Sequence, residues 1–74
     1  MTLTLKLFAT FRNGRFESEQ RSYPPGTTVA SIVNELQIPQ HEIGVLLVSG
    51  RHADLTHQPA PGATVSIFPL LGGG

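Results

Sequence analysis

The sequence predicts a small α+β domain: a mixed sheet of four to five strands with one main helix packed on one face. Three observations carry that prediction. Apolar and polar residues alternate near both ends of the chain, a period of two. One central stretch repeats its apolar residues at helical spacing instead. Turn signals at Asn13-Gly14, Pro24-Pro25-Gly26, Ser49-Gly50 and Pro61-Gly62 separate the segments. Seventy-four residues suit one such domain. A chain of that size buries only about 60% of its unfolded surface, so its core is modest and a partner is expected.

Leu3, Leu5 and Leu7 alternate with Thr4, Lys6 and Phe8, which predicts a first strand over residues 2–11 with its leucines inward and Phe8 outward. Asn13-Gly14 predicts a two-residue type I′ hairpin, because that turn needs positive φ at both central positions. The second strand, about Arg15 to Tyr23, is polar on both faces, as suits an exposed edge. Pro24-Pro25-Gly26 breaks it. Thr27 or Thr28 can then accept a bond from a free N–H in the first turn of a helix. Val29, Ile32, Val33 and Leu36 give that helix, about residues 28–37, one apolar stripe. Pro39 ends it and presses Ile38 toward an extended shape. Ile43 to Val48 reads as a strand buried on both faces, and Arg51 to Asp54 as a brief one. A loop follows with Pro59, Pro61 and Gly62. Thr64 to Phe68 is the last strand, with Val65 and Ile67 on one side and Thr64, Ser66 and Phe68 on the other.

One amphipathic helix must bury its stripe against one sheet. A hairpin, a crossing helix and further strands give the ubiquitin-like β-grasp order. In that order the first and last strands are parallel neighbours at the sheet centre. Phe8 and Phe68 then lie side by side on the face away from the helix, and an exposed aromatic patch points to a partner.

Composition narrows the function classes. The hydrophobic content of 39% and charged content of 14% suit a folded globule. Five basic residues balance five acidic ones, so no polyanion is expected as partner, neither nucleic acid nor an anionic membrane surface. With no cysteine, disulfides, thiolate metal sites and cysteine nucleophiles are excluded. The longest apolar run, Val45 to Val48, is too short to span a membrane, and a cytoplasmic protein is the expectation. His41, His52 and His57 are too scattered for a metal motif. Ser49-Gly50 lacks the following helix of a nucleophile elbow. Glu17 and Glu19 suit a solvated edge better than a catalytic pair.

The stretch that organises the chain is its end: Phe68, Pro69, Leu70, Leu71, Gly72, Gly73, Gly74. Glycine has no Cβ, so three in succession supply no core contact and no fixed conformation. We expect a β-grasp domain over residues 1–70 and a flexible glycine-rich tail over 71–74. Six residues beyond Phe68 could reach roughly 20 Å when extended. Such a tail suits threading into another protein's active site.

Four motifs resemble one known family. Leu7-Phe8-Ala9-Thr10-Phe11-Arg12 is similar to the "LFAxxR" opening of MoaD, the small subunit of molybdopterin synthase. Gly26-Thr27-Thr28-Val29 resembles the helix start shared by MoaD and ThiS. Val48-Ser49-Gly50-Arg51-His52 resembles a "VNGRH" hairpin, and Phe68-Pro69 through Gly74 resembles the "FPPVAGG" terminus. The likeness covers nearly the whole chain. It departs from the family at Pro61-Gly62-Ala63, which stands where an Asp-Gly-Asp turn is common, and at Leu70, which stands for the second proline.

The resemblance implies a ubiquitin-like sulfur carrier that is not an enzyme on its own. A ubiquitin-activating-type enzyme would use ATP to adenylate the carboxylate of Gly74. A sulfur donor would then convert it to a thiocarboxylate. The carrier binds no cofactor itself. The large subunit of molybdopterin synthase, or another sulfur-accepting enzyme, would receive the tail. Phe8, Phe68, Pro69, Leu70 and Leu71 would dock, Gly72, Gly73 and Gly74 would thread, and His52 in its hairpin would touch the partner. Sulfur delivery to thiamine or another small molecule, a modifier joined to lysines through Gly74, and a plain interaction domain remain the other readings.

Overall fold

The structure, a computed structural model, describes residues 1–70. Five strands form one sheet in the order β2-β1-β5-β3-β4. They are β1 (Thr2–Leu7), β2 (Ser18–Ser22), β3 (Ile43–Val48), β4 (Arg51–His52) and β5 (Thr64–Pro69), with one α-helix, α1 (Val29–Glu35). β1 and β5 pair in parallel with Leu5 opposite Val65 and Leu7 opposite Ile67, and the other pairings are antiparallel. This is the ubiquitin-like β-grasp that the element order predicts.

The core lies between the sheet and α1. Leu3, Leu5, Leu7, Val65 and Ile67 are fully buried, and Val29, Ile32 and Val33 close over them. The alternation written into β1 and β5 therefore sorts each strand into an inner apolar face and an outer mixed one. No polar side chain among the described residues is buried.

The first loop departs from the prediction. β1 stops at Leu7, and residues Ala9–Arg12 form a 3-10 turn rather than more strand. Ala9 bends the chain at φ 51°, and Phe11 swings inward to 4% exposure. Phe11 has the inward parity of Leu3, Leu5 and Leu7, but it reaches the core through this bend and not as further strand. Asn13 has φ −64° and ψ 120° and only Gly14 is positive, at φ 70°. That is a type II turn, closed by the Arg15 N–H donating to the Arg12 carbonyl at 3.0 Å, and not the expected type I′. β2 starts at Ser18 rather than Arg15, because Arg15 has another task. Its guanidinium donates to the carbonyls of Phe11, Leu36 and Gln37, tying the loop to the C-terminal end of α1.

Thr28 caps α1, its hydroxyl oxygen accepting from the Ser31 N–H at 3.2 Å. The helix ends before Pro39 through a Schellman motif. Ile38 N–H donates to the Val33 carbonyl and Gln37 N–H to the Asn34 carbonyl, with Gln37 left-handed at φ 58°. Glycine normally occupies that position. We expect Gln37→Gly to raise stability by about 0.5–1 kcal/mol, read as a higher urea midpoint with unchanged slope.

Where α1 meets β2, the Tyr23 hydroxyl donates to the Glu35 carboxylate at 2.7 Å, and Arg21 pairs with the same carboxylate at 2.9 Å. Burial, with that hydrogen bond behind it, pushes the Tyr23 phenol up to about 12. The neutral phenol is thus favoured by folding. Its contribution is complete below the ordinary tyrosine pKa of about 10 and is lost as pH rises from there to about 12. Chemical unfolding across that window should show a falling stability that Tyr23→Phe flattens.

Candidate functional site

The outer face of the sheet carries the candidate site. Phe8 follows β1 and Phe68 sits near the end of the parallel β5, so the two rings meet at the sheet centre. Their centroids are 4.0 Å apart with an interplanar angle of 11°. Both are half-buried, each covering the other. Arg12 completes the stack. Its guanidinium lies 5.4 Å from the Phe8 centroid, its Nε donates to the Leu7 carbonyl at 2.7 Å, and it reaches Glu17 at 3.6 Å. The bend at Ala9 lets Arg12 fold back over the ring of Phe8, four residues before it. The Leu7-Phe8-Ala9 opening and Arg12 are therefore one local structure that holds Phe8 against Phe68.

β3 extends the patch. It was expected to be buried on both faces, but only Leu46 and Val48 are buried, facing the helix side. Val45 is 36% exposed and Leu47 half-buried. Among the described residues the sheet's outer face has no second layer, so the apolar run covers one layer only. Val45, Leu47 and Phe68 line a shallow apolar trough with Gly44, His52, Pro69 and Leu70. His52 is exposed and is brought there by a two-residue hairpin, Ser49 at φ 50° and Gly50 at φ 81°, which sets His52 opposite Leu47. Leu70 is 64% exposed. Pro69 is the last residue of β5, pairs with Ile43 and is buried, so it anchors the strand end at the edge of the trough.

The structure also supplies a residue that the sequence reading passed over. Gly44 lies beside the end of β5. A Cβ there would meet the Pro69 carbonyl oxygen at 2.8 Å and the Leu70 Cα at 3.0 Å. The register between β3 and β5 shifts between Ile43 and Val45, and the Leu70 N–H donates to the Glu42 carbonyl at 2.8 Å. The only sequence signal was a glycine inside an apolar strand, which can mark a bulge or a close backbone approach.

Phe8, Phe68, Leu70 and His52 thus share one face. Leu71, Gly72, Gly73 and Gly74, the threading and reacting residues of the prediction, lie outside the described residues, as does the proposed tail over 71–74. Among the described residues no cluster of three His, Cys, Asp or Glu could hold a metal ion, and no helix is long and apolar enough to cross a membrane.

Sheet order, helix and outer aromatic face define a ubiquitin-like protein whose last described residues, Pro69 and Leu70, lie beside its apolar patch. The profile of the Mut7-C ubiquitin family matches residues 3–72, and the chain belongs to that family. No curated protein matches the sequence. Several solved structures share the fold. The Haloferax volcanii HVO 2177 protein has a TM-score of 0.80 at 27% identity, over 100% of this chain and 87% of that one. A putative molybdopterin converting factor, subunit 1, from Pyrococcus furiosus has 0.77 at 20%, over 96% and 99%. SAMP1 from Haloferax volcanii has 0.75 at 21%, over the whole of both chains. The MoaD/ThiS-like reading of the four motifs agrees with the family profile and with these folds.

Proposed function

We propose that this chain is a sulfur carrier, activated by adenylation at Gly74, that donates sulfur from a C-terminal thiocarboxylate in molybdopterin biosynthesis. The observation that carries the proposal is the continuity of the outer face with the end of β5. The Phe8–Phe68 stack, Val45 and Leu47 lead directly to Leu70, four residues before Gly74. A partner that covers this face receives the chain end in the same encounter.

The chemistry explains why the end is glycine. A carboxylate is a poor electrophile. Attack of the Gly74 carboxylate on the α-phosphorus of ATP expels pyrophosphate and gives an acyl-adenylate. A sulfur donor then attacks the acyl carbon. The C–O bond to AMP breaks, AMP leaves with the electron pair, and the thiocarboxylate remains. The acyl carbon must be unhindered and the chain behind it narrow, which three residues without side chains provide. The carrier holds no cofactor; ATP belongs to the adenylating enzyme, which would work in the cytoplasm. Sulfur transfer itself belongs to an acceptor such as the large subunit of a molybdopterin-synthase-type complex. The likeness to a molybdopterin converting factor subunit supports this destination over thiamine synthesis.

The likeness to a small archaeal modifier protein supports a second reading, in which the same acyl-adenylate passes to a lysine amine of a target. One experiment separates the two. Incubation with an adenylating enzyme, ATP and sulfide, then iodoacetamide, should give an ATP-dependent alkylated product, although the chain has no cysteine to alkylate. ATP-dependent joining to other proteins without any alkylated product would favour the modifier. Neither outcome with any adenylating enzyme of this type would contradict both.

A further inference from the structure

We infer that Gly44 and the register shift around it form a seat that sets the direction in which the chain leaves the body, making Gly44 a positioning residue for delivery of the terminal acyl group. The inference rests on the reading above in needing an acyl end to deliver.

Gly44 is not one of the glycines with positive φ, so backbone freedom does not require it. The missing Cβ does. The atoms a Cβ would strike at 2.8, 3.0 and 3.1 Å all belong to the backbone of Pro69 and Leu70, which cannot turn aside as a side chain would. From the other flank the Glu42 carbonyl accepts the Leu70 N–H at 2.8 Å. One short segment of β3 and its approach therefore grips the last described residue from two directions.

The grip does little for the core. β5 is already held by β1 through Thr64–Ile67 and by β3 through Val65–Phe68. Leu70 is 64% exposed, so fixing its backbone buries little apolar surface. A strand end at the rim of a sheet ordinarily frays. Here it is held one residue past the strand, at the last described residue before the glycine-rich end. Direction at that root matters because the remaining four residues span about 13 Å when extended. With the body docked and those residues held extended in the partner's channel, a tilt of a few degrees at Leu70 displaces the acyl carbon by about 1 Å, and a misplacement of that size can cost on the order of 100-fold in rate.

The test uses the full chain with Gly44→Ala. In the wild type, hydrogen exchange should show the Leu70 amide protected; in the variant it should exchange at least about 10-fold faster, with the Leu46 and Ile67 amides unchanged. In ATP–pyrophosphate exchange by an adenylating enzyme, kcat should fall about 10- to 100-fold. KM should change far less than kcat, because the Phe8–Phe68 stack, Val45 and Leu47 keep their places on the docking face. An unprotected Leu70 amide in the wild type overturns the seat even if the variant fails to fold. Loss of that protection with kcat unchanged overturns the aiming role. Equal damage to kcat and KM together with a lower Tm would mean a merely structural glycine. A wild-type chain that no adenylating enzyme activates sinks the carrier reading and the seat's purpose with it, while amide exchange still reports the seat.

Discussion

Removing Gly73 and Gly74 should abolish ATP-dependent activation while leaving thermal unfolding nearly unchanged. The chemical half follows from the proposal: the carboxylate that reacts would then sit on Gly72, two residues short of its place in the adenylating site. The stability half follows from the core. Among the described residues the core cluster runs from Leu3 to Ile67, and the buried Pro69 follows it at the end of β5. The deletion leaves all of these residues in place, so a melting curve should superimpose on that of the full chain. A large drop in Tm would mean that the closing glycines belong to the body, and activation surviving the deletion would mean that the chemistry lies elsewhere.

Phe68→Ala should give the second large effect, a loss of partner affinity of about 30-fold or more. Phe68 sits at the middle of the outer face, between the Phe8 ring at 4.0 Å and the trough lined by Val45, Leu47 and Leu70. A central aromatic anchor whose removal costs about 2 kcal/mol is the usual hot spot of an interface. The same change loosens the free protein, since Phe8 loses its stacking partner. A double-mutant cycle with Phe8→Ala, read by urea unfolding, should return a coupling of about 0.5–1.5 kcal/mol. Calorimetry against the adenylating enzyme measures the binding loss. Unchanged affinity would move the docking surface off this face.

Much of this was legible because two periods were clean. Leu3-Leu5-Leu7 and Val65-Ile67 each put one face inward, and Val29-Ile32-Val33-Leu36 could only be a helix stripe; the β-grasp order that these elements match then puts β1 beside β5 and so Phe8 beside Phe68. The loop after β1 was not legible, because Phe11 continues the alternation while its burial needs the bend at Ala9, and a left-handed alanine leaves no mark in sequence. Asn13-Gly14 was read for its strongest hairpin meaning, yet the turn type was decided by where Arg15 had to reach. β3 looked doubly buried because Val45 and Leu47 are as apolar as Leu46 and Val48. Only the sheet's single helix layer shows that half of that run faces out. Gly44 was passed over for a different reason. Its neighbours Pro69 and Leu70 are distant in sequence, and no local pattern announces a contact between two backbones.

Top-down fragmentation of the protein after incubation with ATP, an adenylating enzyme and sulfide bears most directly on what this domain is for. The mass rise of one oxygen-to-sulfur exchange should appear only in fragments that contain Gly74, with residues 1–70 unaltered. Sulfur found on any earlier residue, or none at all from an enzyme that demonstrably consumes ATP with the chain, would contradict it.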